Sequence, residues 1–267
     1  MKRALITGIT GQYGAYLAKS LLEKGYKVFG GHRKVSIANF WRLHYLNIYD
    51  KIDFLPFDLS DSKSISKMLK NSEPDVVYNC AAQSAVGSSF DHPSYTSDVT
   101  GSGVIRMLEG IKNNNKKIKF FQASSSEMFG AEKSRVKNES TAFYPISPYA
   151  ISKVYAYWMT RMYREAYGMY TVNGILFNHE SPLRGIEYVT RKISNGIAKI
   201  SLGLEKDLKL GNTLAERDWG YAPEYVEGIV CMMEQKKPDD YILATGETHS
   251  IKEFVDEACK VANISNS

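Results

Sequence analysis

The sequence predicts an α/β protein, a doubly wound parallel sheet with a smaller C-terminal lobe. Three observations predict it. Apolar runs of strand length alternate with amphipathic stretches of helix length as far as residue 176, the pattern of strand–helix–strand crossovers. A glycine-punctuated turn, Gly8-Ile-Thr-Gly11-Gln-Tyr-Gly14, follows the first run at once. After Phe177 the alternation breaks, and turn residues and shorter segments replace it. A chain of 267 residues is long enough for one large α/β domain with a lobe.

Arg3–Thr7 is a short apolar run suited to a buried parallel strand. Ala15–Lys24 carries Leu17, Leu21 and Leu22 at helical spacing, and Gly25 closes that helix. Strand, G-x-x-G-x-x-G and helix in that order is the setting of a Rossmann-type dinucleotide fingerprint. Its glycines permit the tight turn and let a pyrophosphate approach backbone amides at the helix N-terminus. Lys27–Gly30 is the second strand. An acidic residue at its end would bond the adenosine ribose, but none occurs between Gly30 and Phe40. His32-Arg33-Lys34 stands there instead, and a guanidinium suits a 2′-phosphate, so NADP is expected over NAD. A basic surface loop would contain the same residues.

Ile52–Phe57 is the third strand, ending in Asp58-Leu59, where a carboxylate can meet an adenine amino group. Ser60 or Asp61 caps a helix to about Asn71. Asp75–Ala82 is the fourth strand, with small residues at its carboxyl end, and Pro93–Lys112 is expected as one long helix. Ile118–Ser124 is the fifth strand and delivers Ser125 and Glu127 at its carboxyl end, the edge where open α/β sheets bind ligands. Ser147 and Pro148 supply an N-cap and a first-turn proline for a helix to about Tyr167. Tyr149 and Lys153, four apart, share one face of it. An ammonium beside a phenol favours phenolate, which lets a tyrosine take a proton from a hydroxyl near neutral pH. Thr171–Leu176 is the sixth strand.

Beyond it, Asn178–Pro182 is expected as a turn-rich connection, Val189–Leu204 as a helix and Arg217–Gly220 as a loop. Tyr225–Gln235 is a helix, Tyr241–Thr245 a strand and Ile251–Ala262 a final amphipathic helix. The expected division is residues 1–176, which hold the cofactor, and residues 177–267, a substrate-binding lobe from which one strand returns to the main sheet.

Composition excludes several classes. Lys and Arg are scattered apart from Lys116-Lys117-Ile-Lys119, so the net charge of +5 forms no nucleic-acid stripe. No apolar run reaches the length of a membrane span. Cys80, Cys231 and Cys259 form no C-x-x-C pair and no metal-ligand spacing with the five histidines, so no metal is expected. Dispersed thiols, and an N-terminus that runs straight into a strand, are the expectation for a cytoplasmic protein.

The glycine loop together with Tyr149-x-x-x-Lys153 resembles the extended short-chain dehydrogenase/reductase family, and within it the group acting on GDP-mannose and GDP-manno-heptose as 4,6-dehydratases. The resemblance rests on Leu5–Gln12, Phe121–Ser124 with Glu127, Ser147–Ala150, Tyr163–Tyr167, Gly174–Pro182, Arg217–Gly220 and Ala244–Glu247. Most relatives carry Thr where this chain has Ser125, a change that keeps the hydroxyl. The family also continues some tens of residues past position 267, so the lobe is expected to be incomplete at its C-terminus.

The resemblance implies oxidation at the sugar C4, loss of water across C5 and C6, and return of hydride to C6. Tyr149 and Lys153 serve the first step, Glu127 the proton at C5, and Ser125 the 4-oxygen. It places Gly8, Thr10, Gly11, Gln12, Tyr13, Arg33, Asp58, Leu59, Ala82, Gln83, Tyr95, Lys153, His179 and Arg184 around NADP, and Ser84, Asn178, Lys192 and Arg217 around the GDP-sugar. It further implies a homodimer or homotetramer. Glu127 separates the dehydratase from the two other readings, an NADPH-dependent 4-keto nucleotide-sugar reductase and a non-catalytic NADP-binding regulator, since neither needs a base at C5.

Overall fold

A computed structural model describes residues 1–36, 39–134 and 136–265. They fall into two compact units, residues 1–176 with 223–243, and residues 177–222 with the chain from Ala244 on.

The first unit is built on seven parallel strands: β1 (Arg3–Thr7), β2 (Lys27–His32), β3 (Ile52–Pro56), β4 (Val76–Asn79), β5 (Lys119–Ser125), β6 (Thr171–Leu176) and β10 (Asp240–Leu243). Their order across the sheet is β10-β6-β5-β4-β1-β2-β3. The order reverses between β1 and β4, which leaves a crevice at the carboxyl ends of the strands, where such sheets take ligands. The helices are α1 (Gln12–Glu23), α2 (Trp41–Tyr45), α3 (Ser62–Ser72), α4 (Val86–Asp91), α5 (Pro93–Thr96), α6 (Gly103–Asn114), α7 (Pro148–Tyr167) and, after its first residue, α9 (Ala222–Glu234). Asp61 caps α3 by accepting from the Lys63 and Ser64 amides. The core on one side of the sheet joins Leu5, Val77 and Phe120 from the strands to Ile65, Met68, Leu69, Met107, Leu108 and Ile111 of α3 and α6. Burying a side chain of this kind stabilises the fold by about 1.5–3 kcal/mol.

In the first unit one helix and the extent of the unit differ from the sequence expectation, while the strand expected to return to the main sheet does so. The helix expected over Pro93–Lys112 is broken into α5, a π-helical stretch Ser97–Ser102 and α6. The wider turn brings Thr100 to residue 83, where its hydroxyl accepts from the Gln83 amide (3.0 Å) and donates to the Gln83 carbonyl (3.2 Å). A π-bulge of this kind inserts one residue and commonly marks a functional position. The strand expected over Tyr241–Thr245 is β10, which pairs with β6 at the sheet edge. Residues 223–243 therefore belong to the first unit, not to a continuous lobe over 177–267.

The second unit holds β7 (Asn178–Glu180), α8 (Val189–Ser201), β8 (Glu216–Arg217), β9 (Trp219–Tyr221), β11 (His249–Ser250) and α10 (Ile251–Val261). The expected turn at 178–182 and loop at 217–220 are thus short strands: β7 pairs parallel with β9, and β8 antiparallel with β11. Strands of two or three residues are too short to show a period of two in sequence. Ile193 and Ile197 of α8 pack with Cys259, Phe254 and Val255 of α10. Buried Asp218 ties the unit together by accepting from the Thr245 hydroxyl and the Thr245 and Gly246 amides. Among the described residues no helix is long and apolar enough to cross a membrane.

Candidate active site

The glycine loop is fixed by space as much as by conformation. Gly8 has φ +69°, and a Cβ there would lie 2.9 Å from the Ala81 amide nitrogen; one on Gly14 would lie 2.4 Å from the Gly8 carbonyl oxygen. Only glycine fits either place. Gly11 precedes α1 as its N-cap and offers no side chain to the first turn, so the helix-start amides are not spent on a side-chain cap. The loop is pinned from outside by Arg42 of α2, whose guanidinium donates to the Thr10 carbonyl at 3.0 Å. The sequence reading missed Arg42, since nothing in its spacing connects it to residue 10.

Other residues expected around the dinucleotide lie on the same unit. Arg33, past β2, donates to the Tyr95 hydroxyl at 2.9 Å, which brings two of them together on the surface. Asp58 follows β3, with one carboxylate oxygen accepting from the Ser60 amide and hydroxyl. Leu59 is buried, and Ala82 and Gln83 are half-buried after β4. Gln12 is buried at the start of α1, and Tyr13 beside it is half-buried. The Gln83 side-chain oxygen is buried with no hydrogen-bond partner. Two loop positions that only glycine fits, a helix start without a side-chain cap and an unmatched acceptor on Gln83 fit a dinucleotide.

The reactive groups come from β5 and α7. β5 ends at Ser125, which is buried, and a 3₁₀ turn Ser126–Met128 follows. The Ser125 hydroxyl caps that turn by accepting from the Glu127 amide at 3.2 Å. Met128 and Phe129 are buried behind it, which fixes the turn and leaves Glu127 half-buried. α7 begins as expected: Ser147 accepts from the Ala150 amide at 3.1 Å, with Pro148 in the first turn. Tyr149 is buried, and the Lys153 ammonium lies 5.6 Å from the centre of its ring. Lys153 is only 4% exposed and donates to the Ala123 carbonyl of β5 at 2.6 Å. Burial brings its ammonium down to about 8, with Cys80 acting the other way, and burial raises the Cys80 thiol to about 12. Ser84 is exposed beyond β4. Ser125, Glu127, Tyr149 and Lys153 are thus carried by one rigid pair of elements at the carboxyl edge of the sheet. That set can take a proton from a hydroxyl, hold the resulting oxyanion and abstract a proton from carbon.

Residues 5–267 match the family model described as GDP-mannose 4,6 dehydratase. The chain belongs to the GDP-mannose 4,6-dehydratase family. GDP-mannose 4,6 dehydratase 1 of Arabidopsis thaliana is 50% identical over 265 residues, which are 96% of this chain and 73% of that protein. The human GDP-mannose 4,6 dehydratase is 47% identical over 263 residues, 96% of this chain and 71% of its own length. Among solved structures, a dTDP-glucose 4,6-dehydratase of Bacillus anthracis in complex with NAD superposes with TM-score 0.86 at 20% identity, covering 100% of this chain and 82% of that one. A UDP-glucose 4-epimerase of Thermotoga maritima does so with TM-score 0.87 at 21% identity, covering 99% and 84%. At such identity these two establish the fold alone.

The remaining residues expected from the GDP-mannose 4,6-dehydratase resemblance lie in the second unit. Asn178 and His179 sit on β7, half-buried. His179 Nδ1 meets the Phe177 carbonyl at 2.8 Å, and burial pushes its imidazole down to about 3, so the ring is neutral. Arg184 pairs with Glu180 at 3.2 Å and lies over the Tyr188 ring. Lys192 donates to the Lys209 carbonyl, and Arg217 is exposed on β8. Among the described residues no group of three or more His, Cys, Asp or Glu could hold a metal ion.

Proposed function

We propose that this protein is a hydro-lyase that converts GDP-mannose to GDP-4-keto-6-deoxy-mannose, with NADP as a cofactor regenerated in each cycle. The observation that carries the reading is the joint placement of Ser125 and Glu127 at the end of β5 with Tyr149 and Lys153 on α7, in a chain of this family. A reductase or 4-epimerase needs the tyrosine and lysine but no carboxylate base at C5.

The residues that would hold NADP are the glycine loop from Gly8 to Gln12 with Tyr13, then Asp58, Leu59, Ala82 and Gln83, and Arg33 with Tyr95 at the 2′-phosphate. His179 and Arg184 are proposed at the same cofactor. When bound, the nicotinamide supplies a hydride acceptor for the sugar C4 and a hydride donor for C6. Tyr149 takes the proton of the 4-hydroxyl, helped by the Lys153 ammonium. Ser125 hydrogen-bonds the 4-oxygen as it becomes a ketone. The ketone acidifies C5–H, Glu127 removes that proton, and the same carboxyl protonates the C6 hydroxyl as it leaves as water. Having given that proton to the departing water, Glu127 takes one back from solvent and delivers it to C5, which balances the proton that Tyr149 took from the 4-hydroxyl and releases. The second unit carries groups suited to the GDP end, the amide of Asn178 and the cations of Lys192 and Arg217, and Ser84 is proposed at the sugar.

The test is to incubate purified protein with GDP-mannose and either NADP⁺ or NAD⁺, following product mass and absorbance of the reduced cofactor. The expected product has lost the mass of one water, with no net reduced cofactor, at a lower concentration of NADP⁺ than of NAD⁺. Reduced cofactor accumulating without water loss would replace the lyase by an oxidoreductase. A parallel incubation with GDP-manno-heptose decides the sugar.

We also propose that the protein is a homo-oligomer. Ile151, Tyr155 and Trp158 form one stripe of α7 and are 57%, 47% and 51% exposed, an unusual amount of large apolar surface for one helix face. Sedimentation is expected to give a dimer or tetramer, and Trp158→Glu to shift it toward monomer. A monomeric parent protein would rule the stripe out as an interface.

A further inference from the structure

One row of buried polar side chains runs across five strands of the first unit. Strand register aligns Thr7 with Asn79, Asn79 with Gln122, Gln122 with Asn173, and Asn173 with Asp240. These five polar residues cross β1, β4, β5, β6 and β10, and none is more than 8% exposed. Buried polar groups in a sheet core destabilise unless they are paired, and these are paired in two runs, Thr7-Asn79-Gln122 and Asn173-Asp240. The Thr7 hydroxyl donates to Asn79 at 2.6 Å, the Asn79 amide to Gln122 at 2.8 Å, and the Gln122 amide to the Ala123 carbonyl at 3.0 Å. That carbonyl is the one to which Lys153 donates. At its other end the chain starts from the Ala81 amide, which donates to the Thr7 hydroxyl at 3.2 Å. Ala81 is the residue whose backbone a side chain on Gly8 would strike.

From this arrangement we infer that Gln122 is a positioning residue for Lys153: it holds the carbonyl that the ammonium uses, and it is itself held by Asn79 and Thr7. The inference rests on the proposed role of Lys153 beside Tyr149. Every donor in the chain points toward the Ala123 carbonyl, so the two amides have a single satisfied orientation. The Ala123 carbonyl, held in β5, accepts from both Gln122 and Lys153, so the ammonium is fixed to a point that the row braces from the other side. The far end of the row anchors α7 itself, because Asp240 accepts from Tyr157 and Arg164 of that helix and from Asn173. Asn173 in turn meets the Ser124 hydroxyl, next to Ser125. The titratable groups facing Lys153 are Tyr149 on its own helix and Cys80 beyond β4.

Two variants test it. Gln122→Glu keeps an acceptor for Asn79 and sets a carboxylate beside the shared carbonyl, while Gln122→Met removes both bonds at similar length. The titration of Lys153 is read in the cofactor-free protein by ¹³Cε-lysine NMR, with its signal assigned by its loss in Lys153→Met. Gln122→Glu is expected to raise the Lys153 midpoint by about one pH unit or more. Gln122→Met is expected to lower turnover roughly ten- to a hundredfold with KM for the sugar nucleotide little changed. An unmoved Lys153 midpoint in Gln122→Glu would overturn the inference and leave Gln122 a packing residue. That NMR arm does not depend on the reaction, so it stands even if GDP-mannose is not dehydrated, and it decides the matter alone should Gln122→Met fail to fold.

Discussion

Glu127→Gln is expected to stop water loss while sparing the first oxidation. Gln has the same length and shape as Glu, and the turn that carries it is held by other means. The Ser125 hydroxyl accepts from the residue 127 amide, and Met128 and Phe129 are buried behind it. The substitution therefore removes a base and an acid without moving the backbone. Removing a positioned general base typically slows the step it serves by roughly 10²–10⁴-fold, and here one carboxyl is asked to serve three proton transfers in turn. Steady-state formation of dehydrated product should fall by at least that much. Tyr149 and Lys153 are untouched, so mixing the variant with GDP-mannose and NADP⁺ should give up to one equivalent of NADPH absorbance that does not decay. Parent protein under the same conditions should show little, because its reduced cofactor is consumed at C6. Dehydrated product at the parent rate would remove Glu127 from the mechanism. Loss of both signals would mean that the substitution had disturbed the oxidation site as well.

The parts of this site legible in the sequence were those encoded over a few neighbouring residues. The glycine turn, the Ser147-Pro148 helix start and the spacing of Tyr149 from Lys153 are local, because helix and turn geometry act over three to six positions. Six of the seven sheet strands lie in the stretch where strand and helix periods alternate. What escaped is set by register and by sequence-distant contact. Thr7, Asn79, Gln122, Asn173 and Asp240 lie on five different strands, and their alignment is a property of strand order. The available signal was that a polar side chain inside a buried parallel strand demands a partner. Arg42 on the Thr10 carbonyl and Thr100 on the Gln83 backbone are of the same kind. The π turn at Ser97–Ser102 changes the helical phase by one residue, which a 3.6-residue pattern over so few residues does not resolve.

Lys153→Met is expected to separate activity from stability. Lys153 is buried with its ammonium held near 8, against 10.5 in the unfolded chain, and burial is the main cause. The folded state therefore binds this proton less tightly than the unfolded state does. Below about pH 8 both states are charged and the fold carries the full penalty, on the order of 3 kcal/mol. Between 8 and 10.5 the penalty fades, so this group's contribution to stability rises with pH. Methionine carries no such penalty but loses the bond to the Ala123 carbonyl, about 1.5–3 kcal/mol for a charged donor. The two effects oppose each other, so at neutral pH the variant should unfold within about 2 kcal/mol of the parent. Whatever advantage it has over the parent at pH 7 should shrink by pH 9.5, as urea titrations at the two values would show. Activity should behave otherwise. Without the ammonium Tyr149 loses the positive charge 5.6 Å from its ring, and turnover should fall on the order of a hundredfold or more. In the parent, kcat/KM should decline as pH rises through about 8, where the ammonium is lost. The variant should lack that alkaline limb. A variant that unfolds at neutral pH would make Lys153 a structural cation, and one that keeps parent turnover would leave Tyr149 acting without it.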